Sequence, residues 1–240
     1  MTTIVFVGPT LPAAEVAARL PGATIAPPVS VGDVLALTRR RGIRRIAIID
    51  GYFERMAAVW HKEILVAIER GIEVWGAASM GAIRAAELAP YGMIGVGSIY
   101  RDFARGTLVA DDEVAVAHLP ADYGYRATSD AMVNLRDGLA RAARARVVTA
   151  RTRDRLVELA RGRFYRDRTW SSMIDAGRAA GISARELDAL VAWRDRTHPD
   201  RKAADARLLL RRLAASRPRK PDAIAVPRTW ALRQLARGVR

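Results

Sequence analysis

The chain of 240 residues contains no cysteine, only three histidines, and only three lysines (Lys62, Lys202, Lys220) among its 40 basic residues. The missing cysteine excludes disulfides, thiolate metal sites, a cysteine nucleophile and a persulfide carried on the chain itself. It fits a reducing compartment. No stretch approaches the roughly 20 apolar residues that a membrane span needs. The opening "MTTIVFVGPTLP" has no basic leader, and its apolar run is too short for a secretory signal. The expectation is a soluble, cytoplasmic protein. The scarcity of histidine and lysine leaves few nitrogen bases, because a guanidinium does not deprotonate near neutral pH.

Half of the residues are apolar, so a sizeable core can form. Charge is distributed unevenly. Residues 1–125 hold 12 basic and 13 acidic side chains, whereas residues 126–240 hold 28 and 12. The basic second half suits an acidic partner surface, although a solvated arginine-rich helical surface accounts for it equally well.

The first half alternates strand and helix signals. "TIVFVG" (3–8) reads as a strand ending in a turn, and "PAAEVAARL" (12–20) as a helix. "RRIAIIDG" (44–51) is a buried-type strand, residues 54–71 carry helical spacing up to Gly71, and "IEVWGAA" (72–78) is a third strand leading into a helix after Ser79. Residues 93–100 and 112–119 read as further strands. This alternation predicts an α/β fold, a parallel sheet with helices on its faces. From residue 129 the pattern turns helical, with helices expected over 129–146, 149–162, 168–180, 183–196, 200–215 and 228–238. Ser183 and Glu186 have capping-box spacing. The sequence pattern divides into an α/β region over 1–127 and an all-helical, basic region over 128–240, with a candidate linker at 216–227.

Ligands of open parallel sheets gather beyond the carboxyl ends of the strands. Three such ends carry Gly8-Pro9-Thr10, Asp50-Gly51-Tyr52 and Ala77-Ala78-Ser79-Met80-Gly81. The first two are candidate substrate loops. The third departs from the G-x-S-x-G nucleophile elbow by one methyl group. Ser79 is then either a helix cap or a nucleophile, with the N–H groups of Met80 and Gly81 as oxyanion donors. None of the histidines stands in a recognisable triad context. Lys62 is the only lysine of the α/β half and lies at the edge of an apolar helical face, which makes it the candidate base. Asp50 is a candidate orienting group and His118 a candidate general acid. Arg84 and Glu87, spaced i,i+3, read as a local pair.

"DDE" (111–113) resembles a metal cluster only superficially, and Gly8-Pro9-Thr10 lacks P-loop spacing. No metal or cofactor is expected. Tyr165, Trp170 and Trp193 lie in the basic half. At helical spacing they read as core rather than as a base-stacking platform, and nothing in the first half supports nucleic-acid binding.

The segments "GPTLP", "IIDGYFE", "VWHKEIL", "GAASMGAIRAAEL", "GMIGVGSIY" and "DDEVAVAH", in this order, resemble the core of the TfuA family, over roughly residues 3–135. The resemblance implies a partner of YcaO enzymes in peptide backbone thioamidation. It further implies a hydrolase-type activity that releases sulfide from the thiocarboxylate of a ThiS-like carrier through a Ser-Lys pair, carried over here to Ser79 and Lys62. A non-catalytic scaffold that docks a YcaO enzyme and its peptide is the alternative.

Overall fold

The computed structural model describes residues 2–53 and 56–239. Five parallel strands form its sheet: β1 (Thr2–Phe6), β2 (Thr24–Ala26), β3 (Ile43–Ile48), β4 (Glu73–Ala77) and β5 (Ile94–Val96), in the order β2-β1-β3-β4-β5. Chain order reverses between β1 and β3, so the crevice above their carboxyl ends is the topological switch point of an open α/β sheet.

The strands alternate their side chains between two buried faces, as the pleat requires. Ile4, Phe6, Ile46, Ile48 and Val74 pack under α2 (Asp33–Leu37), α3 (His61–Glu69) and α4 (Met80–Leu88). Val5, Ala47, Ile49, Trp75 and Ala77 face the other way. There they meet Val16 of α1 (Ala13–Arg19) and Ala203, Ala206, Leu209, Leu210 and Leu213 of α10 (Arg201–Ala215). A helix from the basic second half therefore covers one face of the sheet. Its carboxyl end is fixed by Arg45, buried with Glu73 at 2.7 Å, whose guanidinium also donates to Leu213 O.

The other second-half helices, α6 (Met132–Arg144), α7 (Ala150–Arg161), α8 (Trp170–Ala179) and α9 (Ala184–Thr197), enclose a core of their own around Leu135, Leu156, Met173 and Leu187. Trp170 and Trp193 belong to this core, so neither is a stacking platform. The final helix, α11 (Trp230–Gly238), follows the segment 217–229 and packs Leu232 with Leu35 and Val66 against α2 and α3. Among the described residues, no helix is long and apolar enough to cross a membrane.

Several expected elements differ. The helix expected over 54–71 begins only at His61; residues 54 and 55 lie outside the described residues. Its start is set by Glu63, which accepts from Trp60 N at 3.0 Å and, on its other oxygen, from Gly32 N at 2.8 Å at the start of α2. One fully buried carboxylate thus caps two helices. Glu63→Gln, which keeps the shape but replaces one accepting oxygen, should cost about 1–3 kcal/mol in urea unfolding.

The strand expected over 93–100 stops at Val96, and Gly97, at φ 102°, turns the chain into α5 (Ser98–Ala104). The strand expected over 112–119 is a single 3-10 turn, Asp111–Glu113, followed by a loop whose one ladder contact is His118 with Ala127. The Ser183 side chain makes no cap bond; Glu186 instead reaches Thr149 N and Thr152 Oγ1, both at 2.6 Å, at the start of α7.

Candidate active site

Three strand ends converge as the sheet topology requires. Asp50, directly after β3 and 1% exposed, accepts from Gly8 N (2.9 Å) and Thr10 N (3.0 Å) on one oxygen and from Thr10 Oγ1 (2.6 Å) on the other. Its role here is to lock the turn after β1 against the end of β3. Both oxygens are engaged, so Asp50 is an organiser of the crevice floor.

The turn after β4 answers why small residues surround Ser79. Ala78 has φ 66°, a left-handed conformation that a side chain with a Cβ adopts at a cost, and it is fully buried. The helix that follows lies almost on the sheet: a Cβ on Gly81 would come within 1.8 Å of Ile48 O, and one on Gly76 within 2.0 Å of Gly81 O. Only glycine permits this approach. Ser79 occupies the N-cap position of α4, and its carbonyl accepts from Ala82 N and Ile83 N, but its side chain makes no cap bond. Ser79 Oγ faces Val114 O at 3.5 Å and lies in the wall of a cleft of about 420 Å³. Gly81 N–H donates to Ile49 O at 3.3 Å, so this expected oxyanion donor is committed to the fold. Met80 N–H is the first amide of α4, directly after Ser79.

Lys62 is not in the cleft. Its Nζ donates to Thr229 Oγ1 at 3.0 Å, on the segment leading into α11. Lys202, from the first turn of α10, does not line the cleft either, but its amine shares a hydrogen-bond partner with Ser79. Asp200 caps that helix at Ala203 N, and Asn134 Oδ1 accepts from Lys202 N, which fixes the turn's orientation. The Lys202 ammonium end is buried and donates to Val114 O at 2.8 Å. One carbonyl oxygen therefore faces both the Ser79 hydroxyl and the Lys202 amine. Burial pushes the Lys202 amine below the ordinary lysine value, against the opposing charges of Asp50 and Asp200.

The Val114 carbonyl is itself held in place. Arg136 grips both oxygens of Glu113, with bonds of 2.7 to 3.1 Å, and buried Arg168 donates to Asp112 Oδ2 at 2.7 Å and to Asp112 O at 3.0 Å. The acidic residues 112 and 113 serve as anchors for this turn.

The loop beyond it forms one side of the cleft with His118, Leu119 and Pro120; Pro9, Gly51, Tyr52 and Tyr125 line it too. The His118 ring lies between Tyr52 (centroids 5.9 Å apart, tilted) and Tyr125 (5.8 Å, edge-on). Its Nδ1 meets Leu119 O at 2.8 Å; a carbonyl can only accept, so Nδ1 is the donor of this bond. Burial, with a hydrogen bond to Tyr125, pushes Tyr52 up to about 12, so it is a neutral phenol. Arg84 and Glu87 form the expected i,i+3 pair at 2.8 Å and also hold Val59 O and His61, outside the cleft.

The family model described as "TfuA-like protein" matches residues 50–169, half of the chain. The chain belongs to the TfuA-like family. Membership carries an association with YcaO enzymes and thioamidation. The matched span holds Asp50, Ser79, Val114 and His118 of the TfuA-like core, whereas Gly8, Thr10 and Lys202 lie outside it. No curated protein matches the chain. Lys202 escaped the sequence reading because it sits in the basic half, yet it had a signal. Its position is in register with Ala206, Leu209 and Leu213, so a lysine occupies the apolar stripe of an amphipathic helix.

Proposed function

We propose that this protein is the sulfide-releasing hydrolase of a thioamidation system, with Ser79 as nucleophile and Lys202, in place of Lys62, as its base. The observation that carries the reading is the shared Val114 carbonyl, which gathers an elbow serine whose side chain makes no cap bond and a buried lysine at one point. The substrate is the thiocarboxylated tail of a ThiS-like carrier, and the sulfide passes to a YcaO enzyme acting on a peptide. A cleft of this volume admits an extended tail and excludes a folded domain.

The step balances as acyl transfer. Neutral Lys202 takes the Ser79 proton as Oγ attacks the thiocarboxylate carbon. The tetrahedral oxyanion forms near Met80 N–H. Collapse breaks the C–S bond, the sulfide leaves with the proton from Lys202, and an ester remains on Ser79. One water, entering where the sulfide left, is deprotonated by the same amine and attacks the ester; the amine returns that proton to the departing Ser79 oxygen, and the tail leaves as a carboxylate. Since no cysteine is present, the sulfur leaves as sulfide and is never held on the chain.

Sulfide release from a thiocarboxylated ThiS-like carrier tests this. Ser79→Ala should lower the rate about 10³-fold or more while remaining folded. Because the lysine must be neutral to act as a base, the rate should rise with pH to a plateau reached below the ordinary lysine value. A Ser79→Ala variant that releases sulfide at the wild-type rate would leave the protein a scaffold for its partner.

A further inference from the structure

Two arginines of the helical half reach the site without entering the cleft. Arg136 projects from α6 onto Glu113, and Arg168, 1% exposed, bridges from Ala160 O and Arg163 O to Asp112. Both grips fall immediately before Val114, which is itself fully buried against Ala82 and Ile83 of α4. The turn has no strand partner to hold it, so these contacts decide where the Val114 carbonyl stands. Each pair has one buried member and one partly exposed one, so it contributes little net stability, but a forked arginine–carboxylate contact fixes a geometry.

We propose that Arg136 and Arg168 are positioning residues: by clamping Glu113 and Asp112 they hold the Val114 carbonyl over Ser79 and Lys202 and keep bulk solvent, though not a single reacting water, from the lysine. The inference rests on the Ser79–Lys202 reading for its catalytic meaning, though not for its physical one. It gives the basic half a specific task, since α6, the segment before α8 and α10 each supply one basic side chain to the site or its support. The groups whose charge faces Lys202 are Asp50 and Asp200, and the clamp changes neither. What the clamp controls is hydration, which is the largest influence on that amine.

The scarcity of lysine makes the test direct. Protein labelled with 13C at lysine Cε should give three resonances, from Lys62, Lys202 and Lys220, assigned by substitution. In the wild type, Lys202 should titrate below the ordinary lysine value. Glu113→Gln and Arg136→Gln should each move the Lys202 midpoint upward, toward the ordinary value, with Lys62 and Lys220 unmoved. Sulfide release should fall about 10- to 100-fold near neutral pH with KM little changed. Arg136→Lys, at a site whose side chain is 32% exposed, keeps the charge and loses the fork. It should give the same upward shift even if the neutral variants fold poorly. The exchanged pair Glu113→Arg with Arg136→Glu should restore the wild-type midpoint. An unmoved Lys202 titration in folded Arg136→Lys overturns the proposal. A shifted titration in a protein whose Ser79→Ala form still releases sulfide overturns the catalytic reading and leaves the positioning intact.

Discussion

Lys202→Met is expected to lose sulfide release by about 10³-fold or more while melting at a temperature equal to or above that of the wild type. The two halves of this expectation have one cause. Burial disfavours the charged amine, so its folded-state pKa lies below its unfolded value. Between those two values the unfolded chain binds the extra proton, and stability contributed by this group rises with pH; below the folded value the full desolvation cost remains. At neutral pH the lysine therefore weakens the fold that it serves. Methionine fills much the same space without a charge, against Ala203 and the sheet face. The lost donor to Val114 O is a smaller term, on the order of 1 kcal/mol. Thermal unfolding beside a sulfide assay checks both parts. A large fall in melting temperature would show that the ammonium is stabilising, and the base assignment would lose its physical ground. By the same logic Lys62→Met, which removes only a partly buried bond to Thr229, should leave sulfide release close to wild type.

Gly81→Ala should destabilise the protein by about 3 kcal/mol or more, the largest stability effect expected of a single added methyl group here. The added Cβ would meet Ile48 O at 1.8 Å and Ile48 C at 2.6 Å. These are backbone atoms of the central strand β3, so no side-chain rotation relieves the overlap. Helix α4 would have to lift from the sheet, carrying Ser79 and Met80 with it. Gly22→Ala is the contrasting control: nothing lies within 4 Å, and its cost is confined to a positive φ of 82°. Urea unfolding of both variants should show a much larger loss at Gly81. Equal losses would mean that the elbow is looser than its geometry.

Much of this architecture was legible in the sequence, for reasons visible in particular residues. The six second-half helices emerge close to their expected bounds because amphipathic spacing marks their bodies and Thr149, Thr169, Asp200 and Thr229 cap four of them. β2 and α2, three and five residues long, are too short for periodicity to register. "DEVAVAHL" alternates like a strand, yet Arg136 and Arg168 grip its first two residues while Arg126, Thr128 and Ser129 bond its end, partners that no local pattern reveals. The elbow at Ser79 could be read from its small neighbours. Counting lysines per half passes over Lys202, because α10 crosses back to the sheet and brings its amine to the Val114 carbonyl that Ser79 also faces. Within the α/β half Lys62 stands alone, but its Nζ reaches Thr229, away from the cleft.

The most direct test is acid-quenched mass spectrometry of the protein after mixing with a thiocarboxylated carrier or a short thiocarboxylate mimic of its tail. The account predicts a transient adduct with the mass of the acyl group, mapping to the peptide that contains Ser79, absent from Ser79→Ala and strongly diminished in Lys202→Met. Sulfide release at full rate from Ser79→Ala, with no adduct on the Ser79 peptide of the wild type, would contradict it.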